Sequence, residues 1–434
     1  MERMTSDGGR VGGPLPRVIV VYGASSFNPM VLAEAAAQAP CRLVWVVDGG
    51  DPFMAPLVRL LRRMGDVVDS SGLHADAIAD ELIPTSPAGI TTFSDEYMPL
   101  TAALARRLSL AYHSEETAVS LADKKEQRRA LRSAGVPSPA VWEVPADLSD
   151  LPSFVESLGY PVVVKPRQGT GSFATALAND EGELSDHLAR LADVEAEFLV
   201  EEYLPDRDPR SPFADDLAVE IMVQGGRVFR LATTGKFRHA PPFRGRGCFL
   251  PSSVDAATET EMFDAAEAAA VALGITDGFL NVDVKLTPVG TRIVEVNGRL
   301  GGNVDMLMEL AGGPPVLPLV FRLALGRDMT ADPALPSLLS GNWSRVGYFA
   351  WVQAPMAASR LSGVAGIDEV AALPHVSTVI RNRNQGDSLD WALGGRSNVC
   401  AVFGAVENLE DLVAARRQID DLIEVDFDEA SDQA

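Results

Sequence analysis

The segment Asn281–Gly302 has polar residues of the types and spacing expected of a metal site. It reads NVDVKLTPVGTRIVEVNGRLGG, which predicts two strands joined by a tight turn. Because strand side chains alternate between two faces, Asp283 lies on the polar face of the first strand, and Glu295 and Asn297 share one face of the second. Oxygen ligands of this kind suit Mg2+, which binds a few carboxylates together with substrate phosphates. Arg299 follows closely, where it could meet a charged oxygen near the metal.

A hairpin with a merely polar outer face is the alternative interpretation of this segment. The metal prediction assumes unbroken alternation along the second strand. It therefore expects Val294 and Val296 on one face, and Ile293 on the opposite face with Glu295 and Asn297.

A lysine followed by a glycine-rich loop forms a second candidate site. In GYPVVVKPRQGTGS, a buried strand is predicted to end at Lys165, and the loop Gln168–Ser172 follows. Glycines let the backbone approach a phosphate and turn its N–H groups toward it, while a lysine supplies the balancing charge. The loop lacks the Gly-Lys-Ser/Thr ending of a P-loop, so a plain hairpin turn stays open as the alternative.

The third candidate is a basic loop in an acidic chain. The chain has a net charge of -23, yet the segment Lys236–Arg246 has four basic side chains: Lys236, Arg238, Arg244 and Arg246. This local reversal of charge favours an anion site. The prolines and glycines of the loop would let it close over a substrate. A solvated surface loop is the alternative, and the sequence does not decide which basic residue would bind the substrate.

Length and composition restrict the class of protein. A chain of 434 residues, 47% hydrophobic and 22% charged, suggests roughly two to four globular domains. The net charge and a pI of about 4.6 argue against nucleic acid or an anionic membrane as partner. Three dispersed cysteines form no disulfide or metal pattern, which favours a reducing cytoplasm. No apolar run reaches the length of a membrane span.

Strands alternate with helices between Arg17 and Leu108, which predicts a doubly wound parallel sheet. The turn Gly23–Ser26 lacks the full glycine fingerprint of dinucleotide binding, so an NAD enzyme is disfavoured. A single charged helix is predicted from Ala118 to Gly135, with Gly135 as its C-terminal cap.

In combination, these motifs resemble the ATP-grasp superfamily. The Asp-Lys pair at 123–124 is followed by AGVPSP, GYPVVVKP, the glycine loop, FLVEEYL and D-x11-E-V-N-G-R-x-G-G, in the order of that family. The resemblance implies that Lys124, or its neighbour Lys125, and Lys165 hold the ATP phosphates. The other ATP contacts that it implies are Gly169, Thr170, Gly171, Ser172, Glu201, Glu202, Tyr203, Leu204 and Asp216.

The same resemblance assigns the metal and substrate residues. Asp283, Glu295 and Asn297 would bind a pair of Mg2+ ions, with Mn2+ as an alternative metal. Asp283 stands where the family often has Glu. The implied catalytic residues are Arg299, Lys236 and Arg238, and the implied contacts to the substrate carboxylate are Arg244, Arg246, Gly301 and Gly302.

Within the superfamily, the last domain resembles the lid-like extension of carboxylate–amine ligases such as L-amino-acid ligases, on the segments GYFAWVQAPMAASRLSGVAGIDEV and PHVSTVIRNRNQG. The implied fold combines α/β and α+β domains. The predicted division is a flexible leader 1–16, a doubly wound pre-ATP-grasp domain 17–115, two ATP-grasp lobes 116–204 and 205–335 that clamp ATP, a small C-terminal α+β domain 345–427, and an acidic tail 428–434.

The resemblance implies an ATP-dependent ligase that joins a small carboxylate to an amine through an acyl phosphate and releases ADP and phosphate. Both partners would be small molecules, and a homodimer is left open. The alternatives are a carboxylase-type or purine-pathway ligase of the same superfamily, or a catalytically silent nucleotide-binding regulator. The full set of charged motif residues argues against the silent regulator.

Overall fold

The computed structural model describes residues 14–23, 25, 27–143, 159–191 and 197–429. Most of the predicted leader, residues 1–13, and the last residues, 430–434, lie outside this range. The strands are β1 Arg17–Val21, β2 Arg42–Val47, β3 Gly65–Asp69, β4 Pro87–Thr92, β5 Val141–Glu143, β6 Val162–Pro166, β7 Ala176–Ala178, β8 Phe198–Glu202, β9 Phe213–Gln224, β10 Arg227–Phe237, β11 Gly247–Leu250, β12 Gly278–Thr287, β13 Gly290–Asn297, β14 Val346–Gln353, β15 Ala358–Ala365, β16 Val376–Arg381, β17 Asn398–Val406 and β18 Glu424–Glu429.

Thirteen α-helices connect and cover these strands in the described residues. They are α1 Pro29–Gln38, α2 Ala55–Met64, α3 Ala75–Leu82, α4 Met98–Leu108, α5 Glu115–Ala122, α6 Lys124–Ser133, α7 Glu181–Leu191, α8 Ala256–Ala272, α9 Val304–Leu310, α10 Leu317–Ala324, α11 Leu335–Leu339, α12 Ile367–Ala371 and α13 Leu409–Leu422. None of the helices in the described ranges is both long enough and apolar enough to cross a bilayer.

The N-terminal sheet is parallel and has helices on both faces, as predicted. Its strand order is β3-β2-β1-β4. Val18 and Val20 pack with α1 and α2, while Ile19 and Val21 pack with α3 and α4. The carboxyl ends of parallel strands form one edge of a sheet, where ligand-contacting loops commonly lie. The loop after β4 begins at this edge and leads to Asp95.

Besides the two-stranded sheet β15-β18, the described residues form two larger antiparallel sheets. The smaller has the order β5-β8-β6-β7, and α7 packs its Leu184 and Leu188 against it. The larger has eight strands in the order β13-β12-β9-β10-β11-β14-β17-β16. Helix α8 covers alternate residues of β9 and β12, including Val219 and Val282. Because strand side chains alternate, the neighbouring residues of β9 and β12 point away from α8.

The eight-stranded sheet crosses the predicted boundary between the large lobe and the C-terminal domain. Strand β11 pairs with β14 from Gly247↔Ala350 to Leu250↔Gly347, and β14 pairs with β17. At Gly247 φ is +112°, and an added Cβ would lie 2.0 Å from the carbonyl oxygen of Phe349. The division at 345 stays a prediction, but the strands on its two sides share one hydrogen-bonded sheet.

The acidic tail was predicted to begin at residue 428, and this starting point is wrong. Strand β18 pairs with β15 and continues through Asp428 and Glu429, with Arg360 opposite Asp428. Both β15 and β18 lie outside the strands that were predicted. The sequence of β18 alternates charged and apolar residues over a short span, and its last two residues were assigned to the acidic tail.

The single charged helix predicted from Ala118 to Gly135 is also wrong, because two helices meet at Asp123. This residue has extended φ and ψ of −124° and 107°, and its carboxylate accepts hydrogen bonds from the amides of Lys125 and Glu126. Asp123 therefore ends α5 and caps the N-terminus of α6. Gly135 follows α6 at a φ of +71°, as predicted for a left-handed C-terminal cap.

Candidate active site

The metal-site residues lie on the face of β12 and β13 that points away from α8. Asp283 pairs directly with Glu295, and Asn281 pairs with Asn297. The register then shifts, so that Val284 pairs with Ile293 and Val294 is a bulge without an opposite residue. The expected unbroken alternation is therefore wrong.

The bulge changes which residues of β13 enter the core. Ile293 and Val296 are fully buried, whereas Val294 is partly exposed. The carbonyl oxygen of Val294 accepts a hydrogen bond of 2.5 Å from Nη2 of Arg128 on α6. The extra residue keeps Ile293 in the core and still places Glu295 opposite Asp283.

Both carboxylates of this set are paired with lysines. Nζ of Lys236 bonds Asp283, and Nζ of Lys124 lies 3.1 Å from Glu295. Burial raises the pKa of Glu295, but Lys124 and Lys165 outweigh it and hold that pKa below its ordinary value. No group of three His, Cys, Asp or Glu side chains in the described ranges is arranged around one point.

The donor chemistry nevertheless fits Mg2+. Two carboxylates and the amide of Asn297 lie on one face, and the carboxylates already attract cationic groups. An ion would compete with the two ammonium groups for these oxygens. Asp283, Glu295 and Asn297 are thus the residues that would hold it.

Lys124 is positioned by the helix start at Asp123. Arg167 bonds Asp123 through Nε at 2.8 Å and Nη2 at 2.5 Å, which ties α6 to the segment after β6. Nζ of Lys124 donates to the carbonyl of Gly169 at 2.5 Å and also lies near Glu295. Lys124 thus reaches both the glycine loop and the metal face.

Lys165 belongs to a buried cluster of charges. Its Nζ lies 2.6 Å from Oε2 of Glu201, and Nε of Arg128 lies 2.9 Å from Oε1 of the same carboxylate. Burial alone would raise the pKa of Glu201, but Arg128 and Lys165 together hold it below its usual range. The Glu201 carboxylate is thus committed to two cations. Glu202 accepts from the amide of Ala140.

The adenine contacts implied at Glu201, Glu202, Tyr203 and Leu204 stay a prediction. Because the Glu201 side chain faces Lys165, any contact with a base would fall to the backbone of this segment and to the partly exposed residues that follow it.

The glycine loop is held by a C-terminal segment, residues 391–397, which the sequence interpretation did not connect with it. Gly395 donates its amide to the carbonyl of Gly171 at 2.9 Å, and Ala174 donates to the carbonyl of Ala392 at 2.7 Å. Nη2 of Arg396 donates to Oγ1 of Thr170 at 3.2 Å. No periodic signal in the sequence relates segments so far apart.

Arg299 reaches the N-terminal sheet rather than solvent. Its Nε and Nη2 bond Oδ2 of Asp95 at 3.0 and 2.5 Å. Asp95 is buried in the loop after β4, and sequence reasoning missed it because no motif surrounds it. This pair brings the edge of the parallel sheet to the metal face.

The basic loop does not act as one anion site, because its side chains point to separate partners. Lys236 faces Asp283, while Arg238 bonds Asp206 and the carbonyls of Ser211 and Asp208. These contacts link the loop to the start of β9.

Arg244 and Arg246 have positions that do not favour the substrate role expected of them. Arg244 is buried and donates to the carbonyls of Pro241 and Ala354, at 2.8 and 2.7 Å. Arg246 forms a two-pronged ion pair with Asp420 at 2.7 and 2.8 Å. Their charges therefore stabilise the loop against α13 and the segment after β14, which accounts for the local reversal of charge.

Two of the remaining predicted residues, Asp216 and Gly301, also have internal partners. Asp216 lies 2.7 Å from Lys285 and 3.9 Å from Nδ1 of His239. The amide of Gly301 donates to Oε2 of Glu220 at 3.1 Å, and Gly302 follows in the same turn. Glu220 was not predicted, because an isolated acidic residue in an apolar strand gives no motif.

The comparisons with known proteins agree with this geometry. Residues 121–303 match the family model of the ATP-grasp domain. This segment of the chain is therefore an ATP-grasp domain. This match covers the lysines, the glycine loop and the metal residues. It confirms the predicted fold class.

Two curated relatives extend the similarity beyond that domain. The chain is 25% identical over 395 residues to the uncharacterized protein y4rH of Sinorhizobium fredii, covering 86% of this chain and 77% of that one. It is 25% identical over 396 residues to carnosine synthase 1 of Homo sapiens, covering 82% of this chain and 44% of the relative. The chain thus spans less than half the length of that synthase.

A solved structure shares the fold over nearly the whole chain. The crystal structure of an L-amino acid ligase from Bacillus licheniformis superposes with a TM-score of 0.74 at 19% identity. The similarity covers 96% of this chain and 100% of the ligase. At this identity the likeness describes the fold.

Proposed function

We propose that this ATP-grasp protein is an ATP-dependent carboxylate–amine ligase. The observation that carries the proposal is the pairing of Asp283 with Glu295, each bonded to a lysine, beside Arg299. This arrangement concentrates cationic donors next to a potential metal site, as phosphoryl transfer requires. The proposal includes Mg2+ held by Asp283, Glu295 and Asn297, which would offset charge on the phosphates when bound.

The proposed reaction begins with phosphoryl transfer to a carboxylate. A carboxylate oxygen of the acid attacks the γ-phosphorus of ATP, the bond to the β,γ-bridging oxygen breaks, and ADP leaves. Lys124 and Lys165 would bind the phosphates, and Lys236 would lie near the γ-phosphoryl group. Positioned charges of this kind stabilise the developing negative charge without a covalent step on the protein.

The second step forms the amide. The amine attacks the acyl phosphate carbonyl, the C–O bond to phosphate breaks, and the amine's proton passes to the departing phosphate. Arg299 would stabilise the oxygen of the acyl phosphate, where its pairing with Asp95 fixes the guanidinium. No nucleophilic side chain is required by this route.

The substrate class is proposed to be an amino acid or a small carboxylic acid with an amine or second amino acid. The names of the similar proteins, a carnosine synthase and an L-amino acid ligase, support this choice. A carboxylase-type or purine-pathway ligase and a silent regulator are the alternatives that an experiment must separate.

A screen of phosphate release from ATP tests the function. Amino acids, small acids and bicarbonate are supplied singly and in pairs, and products are read by mass spectrometry. Phosphate release that requires an acid and an amine together, with a matching amide, is expected. Release with bicarbonate instead would support a carboxylase, and ATP binding without any release would support a regulator.

Glu295→Gln supplies the matched control for that screen. The amide has nearly the same shape but lacks the charge that would hold the metal, so turnover should vanish while the fold persists. Circular dichroism and thermal unfolding check the fold. Unchanged activity at saturating Mg2+ would remove Glu295 from the metal site.

A further inference from the structure

A buried acidic residue lies on the same face as the proposed metal site. Glu220 is 1% exposed and lies on β9, directly opposite Asn281 of β12. Asn281 in turn lies opposite Asn297 of β13. The three residues therefore form one row across three strands, next to the row that contains Asp283 and Glu295.

The carboxylate of Glu220 is held by donors on both of its oxygens. Nδ2 of Asn281 donates to Oε1 at 2.5 Å, and the amide of Gly301 donates to Oε2 at 3.1 Å. The fit around Gly301 is tight, because an added Cβ would lie 2.2 Å from Oε1 of Glu220. Two donors on opposite sides require an acceptor on each side. A carboxylate supplies two acceptor oxygens, whereas a carboxamide has one oxygen and would turn its NH2 group toward the other donor.

Asn281 extends this network to a proposed metal ligand. Its Oδ1 accepts from Nδ2 of Asn297 at 3.2 Å, and its backbone carbonyl lies 3.3 Å from the same nitrogen. The NH2 group of Asn297 is thereby turned toward Asn281. The side-chain oxygen of Asn297, the atom that a metal would need, is left outside this network.

Burying a carboxylate in an apolar strand is unfavourable unless its hydrogen bonds do something that an apolar residue cannot. An alanine or valine on β9 would pack at this position without an ionisable group. The presence of Glu220 at this position therefore indicates a role in which the direction of the two accepted hydrogen bonds matters.

We propose that Glu220 is a positioning residue of the active site. One oxygen holds the turn that contains Arg299, Gly301 and Gly302, and the other orients Asn281 and, through it, Asn297. Glu220 itself touches neither nucleotide nor substrate. This inference rests on the proposed function and adds a specific support for its metal and acyl-phosphate residues.

Glu220→Gln is the primary test, because it keeps shape but turns an NH2 group toward a donor. Loss of such an outer partner should lower Mn2+ affinity, measured by electron paramagnetic resonance with a non-hydrolysable ATP analogue, and kcat, each by about tenfold or more. Affinity for the metal-free analogue should be unchanged. Asp215→Asn is the matched control, since Asp215 is a buried carboxylate on the same strand that bonds the amide of Asp208.

A polarity exchange separates positioning from packing. In the double variant Glu220→Gln with Asn281→Asp, the new NH2 group can donate to the new carboxylate, and Asn297 and Gly301 keep their acceptors. Recovery of Mn2+ affinity relative to Glu220→Gln is expected. Asn281→Ala should reproduce the Mn2+ defect and serves if Glu220→Gln does not fold.

Wild-type Mn2+ affinity in folded Glu220→Gln or Asn281→Ala would overturn the inference, as would a loss of thermal stability alone. The failure of the proposed function would look different. In that case the wild-type protein would bind the Mn2+–nucleotide complex but form no amide with any pair of substrates, and the role of Glu220 would still be decided by the metal affinities.

Discussion

At the scale of single residues, Glu220 makes the stability of the protein depend on pH. Burial raises the pKa of this carboxyl from 4.5 to about 7, although the hydrogen bonds from Asn281 and Gly301 act in the opposite direction. Because the pKa is higher in the folded state, the protonated Glu220 side chain adds to the free energy of unfolding, and this contribution is complete below the pKa of the unfolded chain. It is lost as the pH rises through about 7.

The predicted consequence concerns the difference in unfolding free energy between wild type and Glu220→Gln. Between about pH 5.5 and about pH 8 the wild type should lose about 2 kcal/mol of unfolding free energy relative to Glu220→Gln, because only the wild type must ionise a buried group. Urea unfolding in metal-free buffer measures it. Other titrating groups are common to both proteins and cancel, so a difference that stays constant with pH would contradict the raised pKa.

Lys236 makes a second residue-scale prediction. Its ammonium group bonds Asp283, so a divalent ion must displace or face that charge. Removing the charge in Lys236→Met should therefore tighten Mn2+ binding in the absence of nucleotide by about tenfold, while turnover falls.

Titration of Mn2+ by electron paramagnetic resonance checks this expectation. Arg246→Met is the control, since it removes one positive charge from the same loop but its partner is Asp420. Equal Mn2+ affinities in the two variants would show that Lys236 does not compete for the metal site.

The residues found from sequence and those missed differ in one physical respect. Asp283, Glu295 and Asn297 were predicted to share a face because they belong to one hairpin, where side-chain period two applies locally. Asp95 reaches the same site from the loop after β4 and Glu220 from β9, and only the tertiary arrangement brings them there.

At the scale of elements, Gln127 joins α6 to β13. Its side chain is fully buried, accepts from the amide of Val296 at 2.7 Å and donates to the carbonyl of Val296 at 2.9 Å. The side chain thus satisfies both backbone groups of one residue at the outer strand of the eight-stranded sheet. It also fixes the helix that begins with Lys124.

Gln127→Met should leave these two backbone groups without partners while roughly preserving volume. Each unsatisfied buried group carries a desolvation penalty, so the variant should lose about 3 kcal/mol of unfolding free energy. Urea unfolding measures the loss. Arg129→Ala, on the same helix but largely exposed, should change stability by less than about 0.5 kcal/mol; similar losses in both would argue against this bond pair.

Element types were predicted more successfully than their interruptions. The alternation of strands and helices between Arg17 and Leu108 predicted the parallel sheet, and side-chain periodicity predicted the hairpin β12–β13, since both are local properties. The bulge at Val294 and the break at Asp123 depend on partners elsewhere, namely Arg128 and Arg167. Local sequence patterns do not reveal contacts between residues that lie so far apart in the chain.

At the scale of the whole molecule, the C-terminal segment 391–397 closes over the glycine loop. Gly394 has a φ of +59°, and an added Cβ would lie 2.2 Å from the carbonyl oxygen of Gly171 and 2.7 Å from Ser172. Only glycine allows so close an approach of the two backbones. Gly394→Ala should therefore push the segment from the loop and weaken ATP binding by about tenfold, because the loop loses its preorganised position.

Calorimetry with a non-hydrolysable ATP analogue measures this effect. Gly386→Ala is the matched control: its φ is +92°, and an added Cβ would have no atom within 4 Å. Both variants should lose about 1 kcal/mol of stability from backbone strain. Equal ATP affinities in the two would show that the contact with Gly171 does not support the nucleotide loop.

The order of motifs along the chain predicted an order of domains, but it did not predict the contacts between them. Residues 345–427 were predicted to form a small α+β domain, and they contain the strands Val346–Gln353 and Asn398–Val406. Their addition to the large sheet through β11 was not predicted, because strand order depends on which edges meet. The same limit hid the contact between residues 391–397 and the glycine loop.

The pairing of β11 with β14 has a consequence for how this protein can be divided. A chain cut before β14 would leave β11 with a row of unsatisfied N–H and C=O groups, an open edge that invites association with other chains. A hybrid that exchanges residues 346–434 between relatives would need to conserve the Gly247↔Ala350 register and the glycine that permits it. The strands on the two sides of residue 345 are thus best exchanged together or not at all.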